Sequence, residues 1–485
     1  MGTGQDLQAL VGGPRPYACS PASTASPGEP VLLDAVVASA RRAGGPARRA
    51  RPYRDSYRGE TVMEGDGMKV TVVGGGSTYT PELVDGLARL RHTLRVEELV
   101  LVDPDEERLA VVGGFARRLF ERAGHPGTLR WTADLDDGLD GADIVVIQLR
   151  VGGQRARISD ETIPLRHGRV GQETTGAGGL AKALRTVPVV LDIAWRARRR
   201  APDAWLVDFT NPVGIVTRAL LDDGHRAVGL CNSAIGFQRY IAGLLGVDPD
   251  AVRLDHVGLN HLTWERAVWV DGVDALPRLL AEHGDEIAAD VGLPRRVVET
   301  LGAVPSGYLR YFYAHDAVVA EQRRSRTRGQ EVAEIERELL SLYADPAVAE
   351  KPALLMRRGG AYYSEAALGL MSSLVGGEKC VHVLDVRNEG TLPFLPDRAV
   401  VEVPCQVDAD GVHREPCAPL PPDMAGLVSH VAAYEELAVE AAVHGGRDRV
   451  FRALLAHPLI GQAGAAGPLA GELIAANTAY LRWAR

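Results

Sequence analysis

The chain of 485 residues is 46% hydrophobic and carries a formal net charge of -9. That length supports a large core divided between two domains, and the negative balance argues against a general nucleic-acid binder. No apolar run approaches the roughly 18–20 residues of a membrane span.

Residues 1–67 are rich in Ala, Pro, Gly and Arg and have no sustained hydrophobic period. A disordered extension is expected there; a targeting leader is the alternative, weakened by Glu29 and Asp34. The five cysteines, Cys19, Cys231, Cys380, Cys405 and Cys417, are odd in number and widely scattered. They suit a reducing cytoplasm and not a disulfide framework.

From Met68 the pattern alternates strand and helix. Residues 70–73 read as a first strand, Gly74, Gly75 and Gly76 as a tight turn, and 81–91 as a helix led by Ser77, Thr78 and Thr80. Strand, glycine turn and helix N-terminus together make a place for a dinucleotide's pyrophosphate, because backbone N–H groups and the helix dipole face the anion. Strands are expected at 98–102, 129–132, 144–149, 205–209 and 227–230, with helices at 106–123 and 181–200. Repeated units of this kind predict a Rossmann-like, doubly wound parallel sheet with ligands at the carboxyl ends of its strands. Asp103 ends the second strand, where a carboxylate accepts hydrogen bonds from an adenosine ribose and repels a 2′-phosphate, so NAD is favoured over NADP. The glycine pattern is imperfect, since the third glycine of G-x-G-x-x-G falls at Tyr79.

After about residue 235 the rhythm changes to long helical stretches at 318–344 and 424–456, with β-rich pieces at 381–386 and 400–407. The expected organisation is an extension over 1–67, an NAD-binding domain over 68–235, and an α+β domain over 236–485 for substrate, catalysis and oligomerisation.

Four polar clusters lie beside turns. Arg155 and Arg157, in the stretch 150–179, suit an anionic group such as a phosphate, and equally suit a solvated basic loop. Asn211, before Pro212, offers a donor and an acceptor or simply makes a turn. Cys231 and His261 read either as two ligands of an open metal site or as a buried thiol and a satisfied imidazole. Tyr308, Tyr311 and Tyr313, near Arg326 and Arg328, read either as amphipathic core residues or as a source of a catalytic base.

These clusters converge. VVGGGSTYTP at 72–81, LRVGGQRARISDETIPLRHGRVGQETTGAGG at 149–179, DFTNPVG at 208–214, GLCNSAIG at 229–236, VGLNHLTW at 257–264, GYLRYFY at 307–313 and TRGQEV at 327–332 resemble, in that order, the motifs of glycoside hydrolase family 4. Family members with NAD are an exception to glycoside hydrolysis by two carboxylates.

The resemblance implies Mn²⁺, or another divalent metal, on Cys231 and His261; thiolate softness alone suits zinc better. It implies Tyr308 as catalytic base, Arg157 on the substrate phosphate, and Asn211 and Arg328 in the substrate pocket. The residue after the metal-ligand cysteine tracks substrate in the family. Asn232 there resembles the 6-phospho-β-glucosidase branch and leaves no general acid assigned, with Glu173 as the candidate. The implied reaction is C3 oxidation by NAD⁺, C2 deprotonation, elimination of the aglycone, water addition and re-reduction, in a cytoplasmic homodimer or homotetramer. The rival readings are another specificity within the family, an NAD-dependent 2-hydroxy-acid dehydrogenase, and a non-catalytic NAD-binding sensor.

Overall fold

The computed structural model describes residues 67–91, 94–360, 362–377 and 379–485. The extension expected over 1–67 therefore lies outside the described residues, apart from its last residue, Gly67.

Six strands carry the first half: β1 (Met68–Val73), β2 (Val96–Val102), β3 (Thr128–Thr132), β4 (Ile144–Ile147), β5 (Trp205–Asp208) and β6 (Ala227–Gly229). They pair in parallel in the order β3-β2-β1-β4-β5-β6, the order of a dinucleotide-binding Rossmann sheet. All four residues of β4, Ile-Val-Val-Ile, are buried, as β-branched residues must be where helices cover both faces of a parallel sheet.

The second half extends this sheet and does not start another. Its strands are β7 (Val252–Leu259), β8 (Leu262–Val270), β9 (Val273–Asp274), β10 (Val304–Pro305), β11 (Cys380–Arg387), β12 (Val400–Asp408) and β13 (Gly411–Arg414). The order continues beyond β6 as β11, β12, β7, β8 and β10, all antiparallel, with β13 on β12 and β9 on β8. One hydrophobic core includes Val72 of β1, Val257 of β7 and Val403 of β12. The architecture is thus the expected Rossmann-like sheet followed by an α+β part. Among the described residues no helix is long and apolar enough to cross a membrane.

Several helices depart from expectation for local reasons. The stretch 318–344 is two helices, His315–Gln322 and Arg328–Ala344. Thr327 accepts from the Gln330 backbone N–H while the Gln330 side chain accepts from the Thr327 backbone N–H, a capping box that starts the second helix afresh. The stretch 424–456 likewise divides into Pro422–His444 and Arg447–Ala456, parted by Gly445 and Gly446 at φ +65° and +99°, which a side chain rarely tolerates. The helix expected at 181–200 begins earlier, at Gly176. Finally, Arg155 and Arg157 lie on a helix, Gly153–Arg166, and not on a loop.

Candidate active site

A cavity of about 2210 Å³ opens along the carboxyl ends of the parallel strands and runs under the second half of the chain. Of the residues singled out from sequence, Gly74, Gly76, Ser77, Asp103, Arg157, Asn211, Asn232, His261, Tyr308 and Arg328 line it. Gly75, Thr78, Glu173 and Cys231 stand behind that wall, and Arg155 is exposed away from it.

The glycine turn is held by close approach. A Cβ on Gly74, which sits at φ +92°, would come within 2.6 Å of the Gln148 carbonyl oxygen, and one on Gly75 within 2.7 Å of Leu101 Cβ. Gly74 and Gly75 both donate to the Val102 carbonyl, Gly76 to Asp103 Oδ2 at 3.1 Å, and Ser77 to the Gly74 carbonyl. Asp103 also accepts from Asp105 N at 3.1 Å, and burial pushes its carboxyl above the usual range. Thr78 is turned into the protein, where its hydroxyl accepts from Arg358 Nε at 2.7 Å and reaches Glu336 Oε1 at 3.3 Å. Its expected contact with a cofactor is thereby a supporting one, through the shape of the turn.

Cys231 follows β6 and is 5% exposed, with Sγ 3.2 Å from Ser233 Oγ. Burial, reinforced by Glu402, pushes its thiol up to about 12. His261 occupies the two-residue turn between β7 and β8, at φ +62°, a conformation few non-glycine residues adopt outside functional sites. Its Nδ1 lies 2.9 Å from Thr174 Oγ1. That hydroxyl gives its proton to Gln172 Oε1 at 2.8 Å, and the same oxygen accepts the Thr174 and Thr175 backbone N–H groups. His261 Nδ1 must therefore carry the proton, and Nε2 presents a lone pair. Burial holds the ring neutral, with its pKa lowered to about 4. Both side chains are of a type that a divalent metal takes, and each lies beside Tyr308, His261 by ring stacking and Cys231 by its charge. Among the described residues no group of three His, Cys, Asp or Glu side chains gathers to hold one.

Tyr308, in a 3₁₀ turn (Gly307–Leu309), stacks on His261 with ring centroids 3.6 Å apart and 7° between planes. Burial holds its phenol well above the ordinary value, with Cys231 adding to the shift and Arg157 opposing it. Asn211 precedes a cis peptide to Pro212, and its buried Oδ1 has no protein partner. Arg328 opens its helix and is tied to Glu331 Oε2 at 3.0 Å and to the Arg357 carbonyl at 2.8 Å.

Glu173 needs correction as a general-acid candidate. Its carboxylate contacts Arg150, accepts from Lys182 Nζ at 2.8 Å and lies 3.2 Å from Arg157 Nε. Burial favours the acid form, but Arg150 and Arg157, with Lys182 (itself lowered to about 7 by burial) adding to them, prevail and hold the pKa well below the usual range. A carboxyl kept ionised in this way has no proton to give and acts as an anchor for Arg157 and Lys182. Sequence reading missed Lys182, 1% exposed in the cavity wall, and Thr174, which sets the His261 tautomer. Neither has a local signal, because each is defined by partners distant in sequence.

The chain matches two family models, "Family 4 glycosyl hydrolase" over residues 69–247 and "Family 4 glycosyl hydrolase C-terminal domain" over residues 256–460. It is 39% identical to a Bacillus subtilis protein described as "Probable 6-phospho-beta-glucosidase", covering 86% of this chain and 97% of that one. It is 35% identical to an Escherichia coli 6-phospho-beta-glucosidase, over 85% of this chain and 96% of the other. Among solved structures it resembles the Thermotoga maritima 6-phospho-beta glucosidase with manganese, NAD⁺ and glucose-6-phosphate, at a TM-score of 0.80 and 33% identity, covering 85% of this chain and 99% of that one.

Proposed function

The chain belongs to the family 4 glycosyl hydrolases, and on that footing we propose that it hydrolyses 6-phospho-β-glucosides using NAD⁺ and a divalent metal, with Mn²⁺ the metal expected. The observation that carries this reading is one cavity holding the glycine turn, Arg157, Asn211 and the stacked His261–Tyr308 pair. When bound, the cofactor supplies a hydride acceptor for C3 of the sugar, and the metal supplies positive charge that acidifies the adjacent C–H.

The side chains divide the remaining work. Residues 68–235 carry the dinucleotide, with Gly74, Gly75, Gly76, Ser77 and Thr78 shaping its turn and Asp103 meeting its ribose. Residues 236–485 carry most of the catalytic and oligomerisation surfaces. Cys231 and His261 hold the metal. Arg157 and Arg328 bind the 6-phosphate side of the substrate by charge-assisted hydrogen bonds, while Asn211 and Asn232 orient its hydroxyls. Glu173 anchors Arg157. Tyr308 takes the C2 proton, the aglycone departs from C1, water adds where it left with the proton restored to C2, and return of the hydride to C3 would leave no net reduction of the cofactor. Asn232 cannot serve as a carboxylic acid, which suits a leaving group that departs with help from water. We place this activity in the cytoplasm and in a homodimer or homotetramer, testable by sedimentation.

The test is to assay 4-nitrophenyl 6-phospho-β-glucoside beside its α and unphosphorylated counterparts, with NAD⁺ and Mn²⁺ present or withheld. Nitrophenol release from the phosphorylated β-glucoside alone, dependent on both additions and without net NADH, is expected. Accumulating NADH would identify a dehydrogenase instead.

A further inference from the structure

The glycine turn leaves an electrostatic question open. The N–H groups of Gly74, Gly75, Gly76 and Ser77 already donate within the protein, and the Tyr79 N–H donates to Ser77 Oγ at 3.2 Å. A dinucleotide's diphosphate brings two negative charges to this turn, so its charge must be met chiefly by side chains.

Beside the turn stand two arginines from different halves of the chain. Arg108 donates through Nε to the Gly76 carbonyl at 2.6 Å. Arg358 donates to Thr78 Oγ1 at 2.7 Å, reaches Ser77 Oγ at 3.4 Å, and lies over the Tyr79 ring at 5.7 Å. Both arginines and Ser77 line the cavity. They share the carboxylate of Glu336, whose oxygens lie 3.3 Å from Arg108 Nη2 and 3.1 Å from Arg358 Nη2, while Arg108 also faces Asp103. Glu336 also accepts from Gln154 Nε2 at 3.1 Å. Glu336 thus faces the guanidiniums of Arg358, Arg108 and Arg150 at once, in a site where Arg358 is only 14% exposed and Glu336 only 10%, with Arg108 at its 30%-exposed edge. Burial, with like-charge pressure from Arg150 and Arg108, depresses the Arg358 pKa against the opposing pull of Glu336. Buried positive charge in excess of its counter-charge is costly until an anion arrives.

We propose that Arg358, with Arg108 opposite it, is the cationic clamp for the diphosphate of the dinucleotide, held in register by Glu336 while the site is empty. The inference rests on the NAD reading above and assigns to the second half of the chain a direct share in cofactor binding. The planar fork of arginine suits two phosphate oxygens at once, which a lysine does not reproduce.

The experiment is calorimetric titration of the wild-type protein, Arg358→Gln and Arg358→Lys with NAD⁺, ADP-ribose and adenosine, without substrate or metal. Arg358→Gln should weaken NAD⁺ and ADP-ribose by roughly tenfold to a hundredfold, the worth of a charged hydrogen-bonding partner. Arg358→Lys should fall between that variant and wild type, and adenosine, which has no phosphate, should bind all three alike. Unchanged NAD⁺ affinity in both variants would overturn the clamp, as would parallel loss of adenosine binding, which would mark a collapsed turn. Failure of the wild-type protein to bind NAD⁺ at all would remove the cofactor reading and the clamp with it.

Discussion

Replacing Glu173 by Gln separates an anchoring carboxylate from a proton donor. In the wild type this 8%-exposed side chain faces Arg150, Lys182 Nζ at 2.8 Å and Arg157 Nε at 3.2 Å. Glutamine keeps the shape but removes the one carboxylate that Arg150, Lys182 and Arg157 share; Arg157 retains Glu161 at 2.8 Å, and Lys182, whose pKa burial already lowers to about 7, loses its counter-charge. Breaking such a buried pairing costs about 3–5 kcal/mol. For a chain of this size each kcal/mol moves the unfolding midpoint by roughly 1 °C, so a fall of about 3–5 °C is expected by calorimetry at pH 7. The sign with pH follows from a depressed carboxyl pKa. The stabilisation is in full above the ordinary glutamate range and is lost only as pH falls through the lower folded value. The gap between wild type and variant should therefore persist down to about pH 4. Freed of Glu173, the cations should hold glucose 6-phosphate at least as tightly as before. An unchanged midpoint, with loss of turnover only for glucosides with poor leaving groups, would be the signature of a general acid and would refute the anchor.

Cys231→Ser should abolish metal-dependent turnover and reduce metal retained on dialysis; full turnover after chelation of the wild type would remove the metal site. Tyr308→Phe should stop exchange of the substrate's C2 proton with solvent, read by NMR in deuterated buffer, and persistent exchange would exclude it as base. His256 lies 2.6 Å from Glu265 Oε1 and 2.9 Å from Glu402 Oε1, and although burial opposes its charge these carboxylates raise its pKa from 6.5 to about 10. A raised histidine stabilises fully below its unfolded pKa and progressively less as pH rises through the folded one. Melting midpoints of the wild type should accordingly decline between about pH 6.5 and pH 10 relative to His256→Gln, and parallel profiles would count against the charged imidazole.

What was legible in the sequence was periodic or local. The β-branched runs that became β1 and β4 announced themselves, because strands buried on both faces allow little else, and Asp103 stood where a strand end required it. The capping box at Thr327 was equally local, and the break before Arg328 lies in the polar run 321–331, between the apolar residues of 318–320 and those from 332 onward, which a single helix assignment over 318–344 passed over. Glu173 could not be read correctly from its neighbours in sequence, since its state is decided by Arg150, Arg157 and Lys182 arriving from three directions. The tautomer of His261 likewise depends on Thr174, 87 residues away. Arg358 carries no motif of its own and becomes meaningful only beside Glu336 and Ser77.

The join between the parallel and antiparallel parts brings the turns that carry Cys231 and His261 onto one side of the sheet. A single row crosses it: Gly229 of β6 pairs with Asp385 of β11, Asp385 with Glu402 of β12, and Glu402 with Gly258 of β7. Cys231 follows the first end of that row by two residues, and the Asn260–His261 turn follows the other by two and three. Asn260 Nδ2 donates back to Glu402 Oε2 at 2.7 Å, tying the turn to the row's centre. Both ends are glycine for steric reasons. A Cβ on Gly229 would stand 2.3 Å from Thr217 Oγ1, and one on Gly258, at φ +150°, would stand 2.1 Å from the Leu262 carbonyl oxygen. A side chain at Gly258 would push β7 from β8 and carry the His261 turn with it, and one at Gly229 would push β6 off the helix Val213–Asp222 and shift Cys231. The residues that shape this platform therefore include two glycines outside the cavity wall, one constrained by the spacing of β7 and β8 and the other by the helix packed on β6.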